Sequence, residues 1–127
     1  MASYSLSHMS DTNLLHQLEE CFSKERASTA LLLAHIAEVE TRKLFLPGGY
    51  SSMYAYCVQK FGLSEDSALK RIRAARAARR FPELFAAIAD GLLNLNAVVL
   101  LAPHLTDESR RELIWQPWAR PGSRSSN

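Results

Sequence analysis

Residues 61–82, FGLSEDSALKRIRAARAARRFP, decide the fold of this chain because they specify one long helix with two different faces. Ser64 is a favourable N-cap, since its hydroxyl can accept a hydrogen bond from a free backbone N–H group of the first turn. The alanines that follow favour helix intrinsically. Pro82 disfavours helical geometry at Phe81, so the helix is predicted to end near Arg80.

The two faces of this helix differ in chemistry when its residues are placed at intervals of about 100°. One face is basic, and it carries Lys70, Arg73, Arg76 and Arg80. The opposite face is small and apolar, and it carries Ala68, Ile72, Ala74, Ala75, Ala78 and Phe81. Arg71 and Arg79 interrupt the apolar face. We predict that the alanines permit close docking on a neighbouring helix.

Helical periodicity also marks residues 10–44. Apolar side chains recur there at three- and four-residue steps, first at Leu14, Leu15, Leu18, Cys21 and Phe22. The buried stripe of the second pattern is predicted to consist of Leu31, Leu32, Ile36 and Val39. No glycine or proline separates the two patterns, which is compatible with one long, kinked helix. Pro47, Gly48 and Gly49 then break the helical pattern.

Four further helices are indicated by caps and breakers. A short one that starts at Ser51 or Ser52 stops at Gly62, another runs over residues 83–90, a third is capped by Asn94 or Asn96, and the last begins at Thr106. No stretch alternates apolar and polar residues. The sequence therefore predicts an all-α fold, a compact bundle of six or seven helices. We expect a flexible N-terminus over residues 1–9, a helical domain over 10–115 and a disordered tail over 116–127.

Composition fits a single globular domain, since the 127 residues are 47% hydrophobic and 22% charged. Charge is uneven, because residues 45–82 hold seven basic and two acidic groups, a net charge of +5. This segment is the expected contact surface for an anionic partner. The apolar runs are far shorter than the ~20 residues that a membrane span needs. The N-terminus lacks the features of a signal peptide, so a cytoplasmic protein is predicted.

The basic helix allows three interpretations. Membrane binding is disfavoured, because alanines bury too little area to anchor a helix in lipid. No acidic residue occurs between Asp66 and Glu83, so the basic side chains are predicted to lack a partner within their own helix. Groups outside the helix must then offset their repulsion. These groups are either phosphates or acidic residues of the preceding helices, among them Glu19, Glu20, Glu38 and Glu40.

The order of helix, short glycine-containing turn and second helix over residues 51–81 resembles a helix-turn-helix. The second helix starts with Glu65 and Asp66, which phosphates repel, so contacts to the DNA backbone are expected to outnumber contacts to bases. The candidate nucleic-acid-binding residues are Lys60, Lys70, Arg71, Arg73, Arg76, Arg79 and Arg80.

Signatures of catalysis are missing from the sequence. The four histidines are scattered, and His35 is predicted to lie in a helix–helix interface rather than to bind a metal. No nucleophile motif, phosphate-binding glycine loop or paired carboxylates occur. We therefore expect a protein that is not an enzyme, with no cofactor, no metal and no small-molecule substrate.

Two runs of the sequence resemble the N-terminal helical region of bacterial HNH endonuclease-like proteins, which are common in myxobacteria. They are HQLEECFSKERASTALLLAHIAEVETRKL and, after it, GYSSMYAYCVQKFGLSEDSALKRIRAARAARRFP. The resemblance covers residues 10–114 and implies a helical module that delivers a nuclease to DNA. In those relatives an HNH nuclease module follows, whereas WQPWARPGSRSSN after Ile114 carries no histidine, so no nuclease residue is carried over. The resemblance thus implies a DNA-binding module that is non-catalytic by itself. The alternatives are a protein–protein interaction module of a nuclease system, in which residues 10–44 pair with another copy or with a nuclease partner, and a truncated remnant.

Overall fold

The computed structural model describes residues 4–114, which form six α-helices and no β-strand. In chain order the helices are α1 (Asp11–Arg42), α2 (Met53–Ala55), α3 (Glu65–Arg80), α4 (Glu83–Ala89), α5 (Leu95–Leu101) and α6 (Arg110–Ile114). A π-helical turn, Tyr56–Lys60, continues α2, and a 3-10 turn, Ala102–His104, continues α5. The predicted all-α bundle is confirmed. The predicted tail, residues 116–127, lies outside the described residues.

Helix α1 joins both sequence patterns of residues 10–44 into one helix of 32 residues. It begins where the hydroxyl of Ser10 accepts a hydrogen bond from the Asn13 N–H group at 3.2 Å. It ends at Lys43, whose left-handed backbone (φ 54°) lets its N–H group donate to the Glu40 carbonyl. The turns around Pro47 follow, so the chain reverses before α2.

Only the second half of α1 packs against the bundle. The side chains that it buries are Ala30, Leu33, Ile36 and Ala37. The predicted burial of Leu31 and Leu32 is wrong, because both are exposed. Three consecutive residues of a helix point about 100° apart, so only one of three adjacent leucines can face the core, and that one is Leu33. Every residue from 11 to 28 is exposed.

The segment before α3 is helical, and its second part is a π-helical turn. Ser52 caps it by accepting a hydrogen bond from the Ala55 N–H group at 3.0 Å. The π-helical turn then buries Cys57, and Gly62 ends the segment with a positive φ of 71°. Periodicity predicts the helix and its glycine stop, but it does not distinguish the π-helical turn from an α-helix.

Helix α3 is the central helix of the bundle, because it packs against both α1 and α5 and also touches α2 and α4. Ser64 caps it as predicted, accepting from the Ser67 N–H group at 3.1 Å. The helix ends at Arg80, before Pro82. Its buried residues, with Phe81 directly after it, are those predicted for the apolar face: Ala68, Ile72, Ala74, Ala75, Ala78 and Phe81. The four buried alanines keep the neighbouring helices close.

The last three helices close the bundle around α3. Asn94 is the cap of α5, since its Oδ1 accepts from the Ala97 N–H group at 2.8 Å. Helix α6 begins at Arg110, and the turn before it is capped by Thr106, whose Oγ1 accepts from the Ser109 N–H group while the Ser109 hydroxyl accepts from the Thr106 N–H group. Within residues 4–114, no helix combines the length and the apolar character needed to cross a membrane.

Candidate nucleic-acid interface

One exposed row of side chains runs along α3 between the helices that flank it. Its members are Leu69, Arg73, Arg76 and Arg80, at steps of four, three and four residues. We call the three arginines of this row the arginine row. The same helical spacing that buries the alanines against α1 and α5 turns these three guanidinium groups outward.

The middle member of the arginine row is bound to α1. Arg76 donates through Nε to both carboxylate oxygens of Glu40, at 3.0 and 3.2 Å, and through Nη2 to Oε2 at 2.5 Å. This forked contact raises the pKa of Arg76, because its protonated form makes these bonds. Arg76 nevertheless keeps 63% of its side chain exposed. Its guanidinium is therefore partly neutralised but accessible.

Arg79 lies off the arginine row and contacts Glu38 of α1, with Nη1 3.5 Å from Oε1. Glu38 also accepts a hydrogen bond of 2.7 Å from Nε of Arg42. The hydrogen bond from Arg42, assisted by its charge and by that of Arg79, lowers the pKa of Glu38. Two of the four acidic residues that the sequence offers as partners, Glu38 and Glu40, thus pair with α3. Glu20 instead pairs with His16 at 3.6 Å.

Two further predicted contact residues are bound within α3 itself. Lys70 forms an ion pair with Asp66 one turn earlier, at 3.1 Å. The prediction that no basic residue has a partner in its own helix is therefore wrong for Lys70, since the spacing of four residues brings the pair together. Arg71 is half-buried and donates from Nη1 to the hydroxyl of Ser67. Neither side chain belongs to the exposed row.

Arg73 and Arg80, the outer members of the arginine row, have no carboxylate partner among residues 4–114. The guanidinium carbon of Arg80 lies 5.0 Å from the ring centroid of Phe81. Lys60 is exposed on the π-helical turn, where its ammonium nitrogen lies 6.0 Å from the ring centroid of Phe61. Of the seven predicted contact residues, these three are exposed and have no carboxylate partner in the described part of the chain; Arg71 also has none there, but it is half-buried and bound to Ser67.

The arginine row borders a surface hollow with a volume of about 390 Å³. Besides the three arginines, it is lined by Ala77, Phe81, Val99, Ala102 and Pro103, so α3, α5 and the 3-10 turn form its walls. Cationic groups beside an apolar wall suit an anion that also carries apolar or planar surface.

A second cluster, which sequence periodicity does not predict, brings Arg110 near the C-terminal end of the described residues against Glu83 and Phe81. Arg110 of α6 donates to Glu83 of α4, with Nε 2.6 Å from Oε2, and its guanidinium carbon lies 5.0 Å from the ring centroid of Phe81. The partners are 27 residues apart, and periodicity predicts no such pairing. The cluster ties α6 and α4 together beside the end of α3.

The histidines do not form a site in residues 4–114. The predicted interface position of His35 is wrong, because the ring is exposed and its Nδ1 lies 2.8 Å from the Leu31 carbonyl oxygen. No group of three or more histidine, cysteine or acidic side chains in the described residues is arranged to hold a metal ion.

Comparison of the chain with protein-family models, curated proteins and solved structures gives no match. The resemblance to the HNH endonuclease-like proteins therefore rests on the sequence pattern alone and stays a prediction.

Proposed function

We propose that this chain is a non-catalytic helical module that binds the phosphates of duplex DNA through the arginine row. The observation that carries the proposal is that Arg73 and Arg80 have outward-facing guanidinium groups with no carboxylate partner among residues 4–114. The proposed surface is narrower than the seven residues that the sequence suggests, because Lys60, Lys70, Arg71 and Arg79 lie off the arginine row.

The spacing of the arginine row suits a phosphate backbone. From Arg73 to Arg80 the helix rises by roughly 10 Å, at about 1.5 Å per residue. A duplex carries one phosphate per ~1.7 Å of its axis, so about six phosphates lie within that length. Three guanidinium groups on one helix side can therefore each reach a phosphate oxygen, and guanidinium groups bind phosphate in a bidentate manner.

The ion pair between Arg76 and Glu40 does not prevent phosphate binding. Ion pairs at this level of exposure contribute only about 0–1 kcal/mol, so exchange of the carboxylate for a phosphate costs little. Arg73 gives up no partner at all. The pair with Glu40 instead lowers the affinity of the surface, because the carboxylate competes for Arg76.

The mode of contact differs from the insertion of a recognition helix. Such a helix contacts bases through its first turns, whereas the first turn of α3 carries Glu65 and Asp66. The arginine row occupies the second half of α3, and α1 and α5 pack on either side of the helix. Contact along the side of α3 gives phosphate binding with little base selection.

A salt titration of a random-sequence duplex tests the proposal. Three phosphate contacts predict a slope of log K against log salt of about −2.7. Replacing both Arg73 and Arg80 by glutamine is expected to bring the slope to about −1 and to weaken binding. Fluorescence anisotropy of a labelled duplex measures both quantities, and single-stranded DNA and duplex RNA of equal length show which nucleic acid is preferred.

The matched control replaces Lys70 and Arg79 by glutamine. It removes the same charge from the same helix, but at two side chains that lie off the arginine row. We expect the control to retain most of the binding and of the slope. Equal losses in the two double variants would show that only net charge matters, and absence of binding at low salt would reject the proposal.

A further inference from the structure

The first half of α1 buries none of its side chains against the described part of the chain. The side chains of residues 11–28 are all exposed and the first buried residue of α1 is Ala30, while Arg26 already lies beside Gly91 of the bundle. This segment, which we call the arm, is about 27 Å long at 1.5 Å per residue. An isolated helix of this length is only marginally stable in water, so an apolar face on the arm calls for a partner.

Such a face is present on the arm. Large apolar side chains are exposed there at helical spacing: Leu14 by 39%, Leu15 by 62%, Leu18 by 50% and Phe22 by 52%. Together with exposed Cys21 they occupy an arc of about 120° when residues are placed about 100° apart. We call these five residues the arm stripe. Apart from Ala27, the rest of the arm outside this arc is polar.

The arm stripe continues the face by which α1 packs on its own bundle. On the same helical projection, buried Leu33 and Ile36 fall within the arc of the stripe or at its edge, while buried Ala30 and Ala37 lie roughly 40–60° beyond that edge. The arm therefore extends beyond the bundle, and its apolar side faces the space next to the bundle. A partner in that space would cover the arm stripe and would also contact the end of the bundle.

We propose that the occupant of this space is the arm of a second copy of the chain, in antiparallel orientation. The spacing of the stripe carries the argument, because it is symmetric about Leu18. Reversal about that residue places Leu14 opposite Phe22 of the other copy, Leu15 opposite Cys21, and Leu18 opposite itself. A two-fold interface needs a self-complementary surface of this kind.

The length of the arm also fits pairing with the arm of a second copy. Each arm emerges from its own bundle, so two antiparallel arms fill the space between two bundles, one at either end. No bundle then blocks the other, because each lies beyond the N-terminal end of the partner's arm. This inference is independent of the proposed DNA contact, since the arm stripe includes no member of the arginine row.

The ends of the paired arms supply an internal check on orientation. The reversal about Leu18 brings the acidic Asp11 of each copy opposite the acidic Glu25 of the other, so these two positions repel each other in the natural chain. In a parallel, in-register pair Glu25 would meet Glu25 instead. Replacing Glu25 by lysine thus joins opposite charges in the antiparallel dimer and like charges in the parallel one.

Sedimentation equilibrium of the full chain tests the association. We expect a dimer that persists at high salt, because apolar contacts hold it. Leu18→Lys is expected to weaken it by at least about 10- to 100-fold, as two facing leucines are lost. Leu31→Lys is the matched control, since Leu31 is also exposed on α1 but falls outside the arc of the stripe. A chain that stays monomeric, or one equally affected by both variants, would overturn the proposal.

Two variants test the orientation. Glu25→Lys is expected to strengthen the dimer, and the further change Asp11→Lys is expected to cancel that gain. Leu18→Cys with Cys21→Ser is expected to form an intermolecular disulfide with oxidised glutathione, because the two sulfurs lie across the symmetry axis. Cys21 of the natural chain is not expected to form an intermolecular disulfide, because the two Cys21 residues of the dimer are offset by about 9 Å along the helix axis. This offset exceeds the limit of ~7 Å between the Cα atoms of two disulfide-bonded cysteines. Rapid cross-linking through Cys21 would show a parallel pair and overturn this arrangement.

Discussion

Glu40 of α1 binds Arg76 of α3 across 36 residues of the chain, with Oε2 of the carboxylate 2.5 Å from Nη2 of the guanidinium. This contact links the long helix to the central helix and takes part of the charge from the arginine row. The positive surface of α3 is therefore smaller than its sequence indicates. The same contact offers a way to enlarge that surface by a change at α1.

Replacing Glu40 by glutamine is expected to increase the affinity for duplex DNA. The variant removes the carboxylate that competes with phosphate for Arg76 while keeping the size of the side chain. An exposed ion pair contributes about 0–1 kcal/mol, which corresponds to an increase of at most about fivefold. Anisotropy titration at one fixed salt concentration measures the change.

The control for this prediction is Glu19→Gln, which removes one negative charge from the exposed first half of α1. Glu19 forms no ion pair with α3, so its replacement leaves the arginine row unchanged. A similar gain in both variants would mean that overall charge, rather than release of Arg76, raises the affinity.

The sequence predicts the helices well because caps and breakers act locally. Ser64, Asn94 and Gly62 each mark a helix end through contacts within three residues or through their own backbone preference. The burial of the alanine face of α3 follows from helical spacing alone. These features require no knowledge of the partners that the helices meet.

Contacts between distant helices could not be predicted in the same way. The pairing of Glu83 with Arg110 and of Glu40 with Arg76 depends on how helices lie against each other. The exposure of Leu31 and Leu32 has the same origin, because periodicity gives an apolar arc but not the part of it that finds a neighbour. The sequence therefore predicts the arginine row as a pattern, but not which of its charges are paired.

Alanine substitutions at Gly62 and Gly91 compare the cost of backbone strain alone with the cost of the same strain plus a close side-chain contact. Both glycines have a positive φ, 71° and 80° respectively, so an alanine at either is expected to cost about 1–2 kcal/mol of stability. A Cβ at Gly62 meets open space, whereas one at Gly91 would lie 2.9 Å from Nε of Arg26. Arg26 is exposed and flexible, so its side chain can shift, and Gly91→Ala is expected to cost only slightly more stability than Gly62→Ala in urea unfolding.

A double-mutant cycle isolates the contribution of Arg26. In a chain that carries Arg26→Ala, the cost of Gly91→Ala is expected to fall to that of Gly62→Ala, because the crowding side chain is gone. An unchanged difference between the two glycine variants would place the extra strain in the backbone of the turn instead.

The contact of Glu83 with Arg110 predicts a dependence of stability on acid. The hydrogen bond from Arg110 is the main cause that lowers the pKa of Glu83 below its ordinary value of 4.5, and the backbone N–H group of Glu83 adds to it. A lowered pKa in the folded state gives stability that is present above the unfolded-state pKa and is lost as the pH falls through the folded-state pKa. Thermal unfolding below pH 4.5 should therefore show a steeper loss in the natural chain than in Glu83→Gln.

Arg110→Gln is the companion variant, since it removes the main cause of the lowered pKa. Its acid dependence is expected to approach that of Glu83→Gln, even though its stability at neutral pH also reflects loss of the contact with Phe81. An Arg110 variant that keeps the full acid dependence would contradict the assignment.

The two thiols should report the bundle and the arm separately. Cys57 is 3% exposed, and its burial, with a smaller contribution from the charge of Glu40, raises the pKa of its thiol. Since the thiolate is the reactive form, Cys57 is expected to react with iodoacetamide only when the bundle opens. Cys21 is exposed in a single chain, so it is expected to react quickly in dilute protein.

If the arms pair, the labelling rates of the two thiols are expected to depend differently on protein concentration. In the antiparallel dimer Cys21 is covered by Leu15 of the other copy, so its labelling is expected to slow as the protein is concentrated, while that of Cys57 stays constant. Leu18→Lys should abolish the concentration dependence and leave Cys57 unchanged. Protection of Cys21 that is independent of concentration would instead show that the arm stripe is covered within one chain, which contradicts pairing with a second copy.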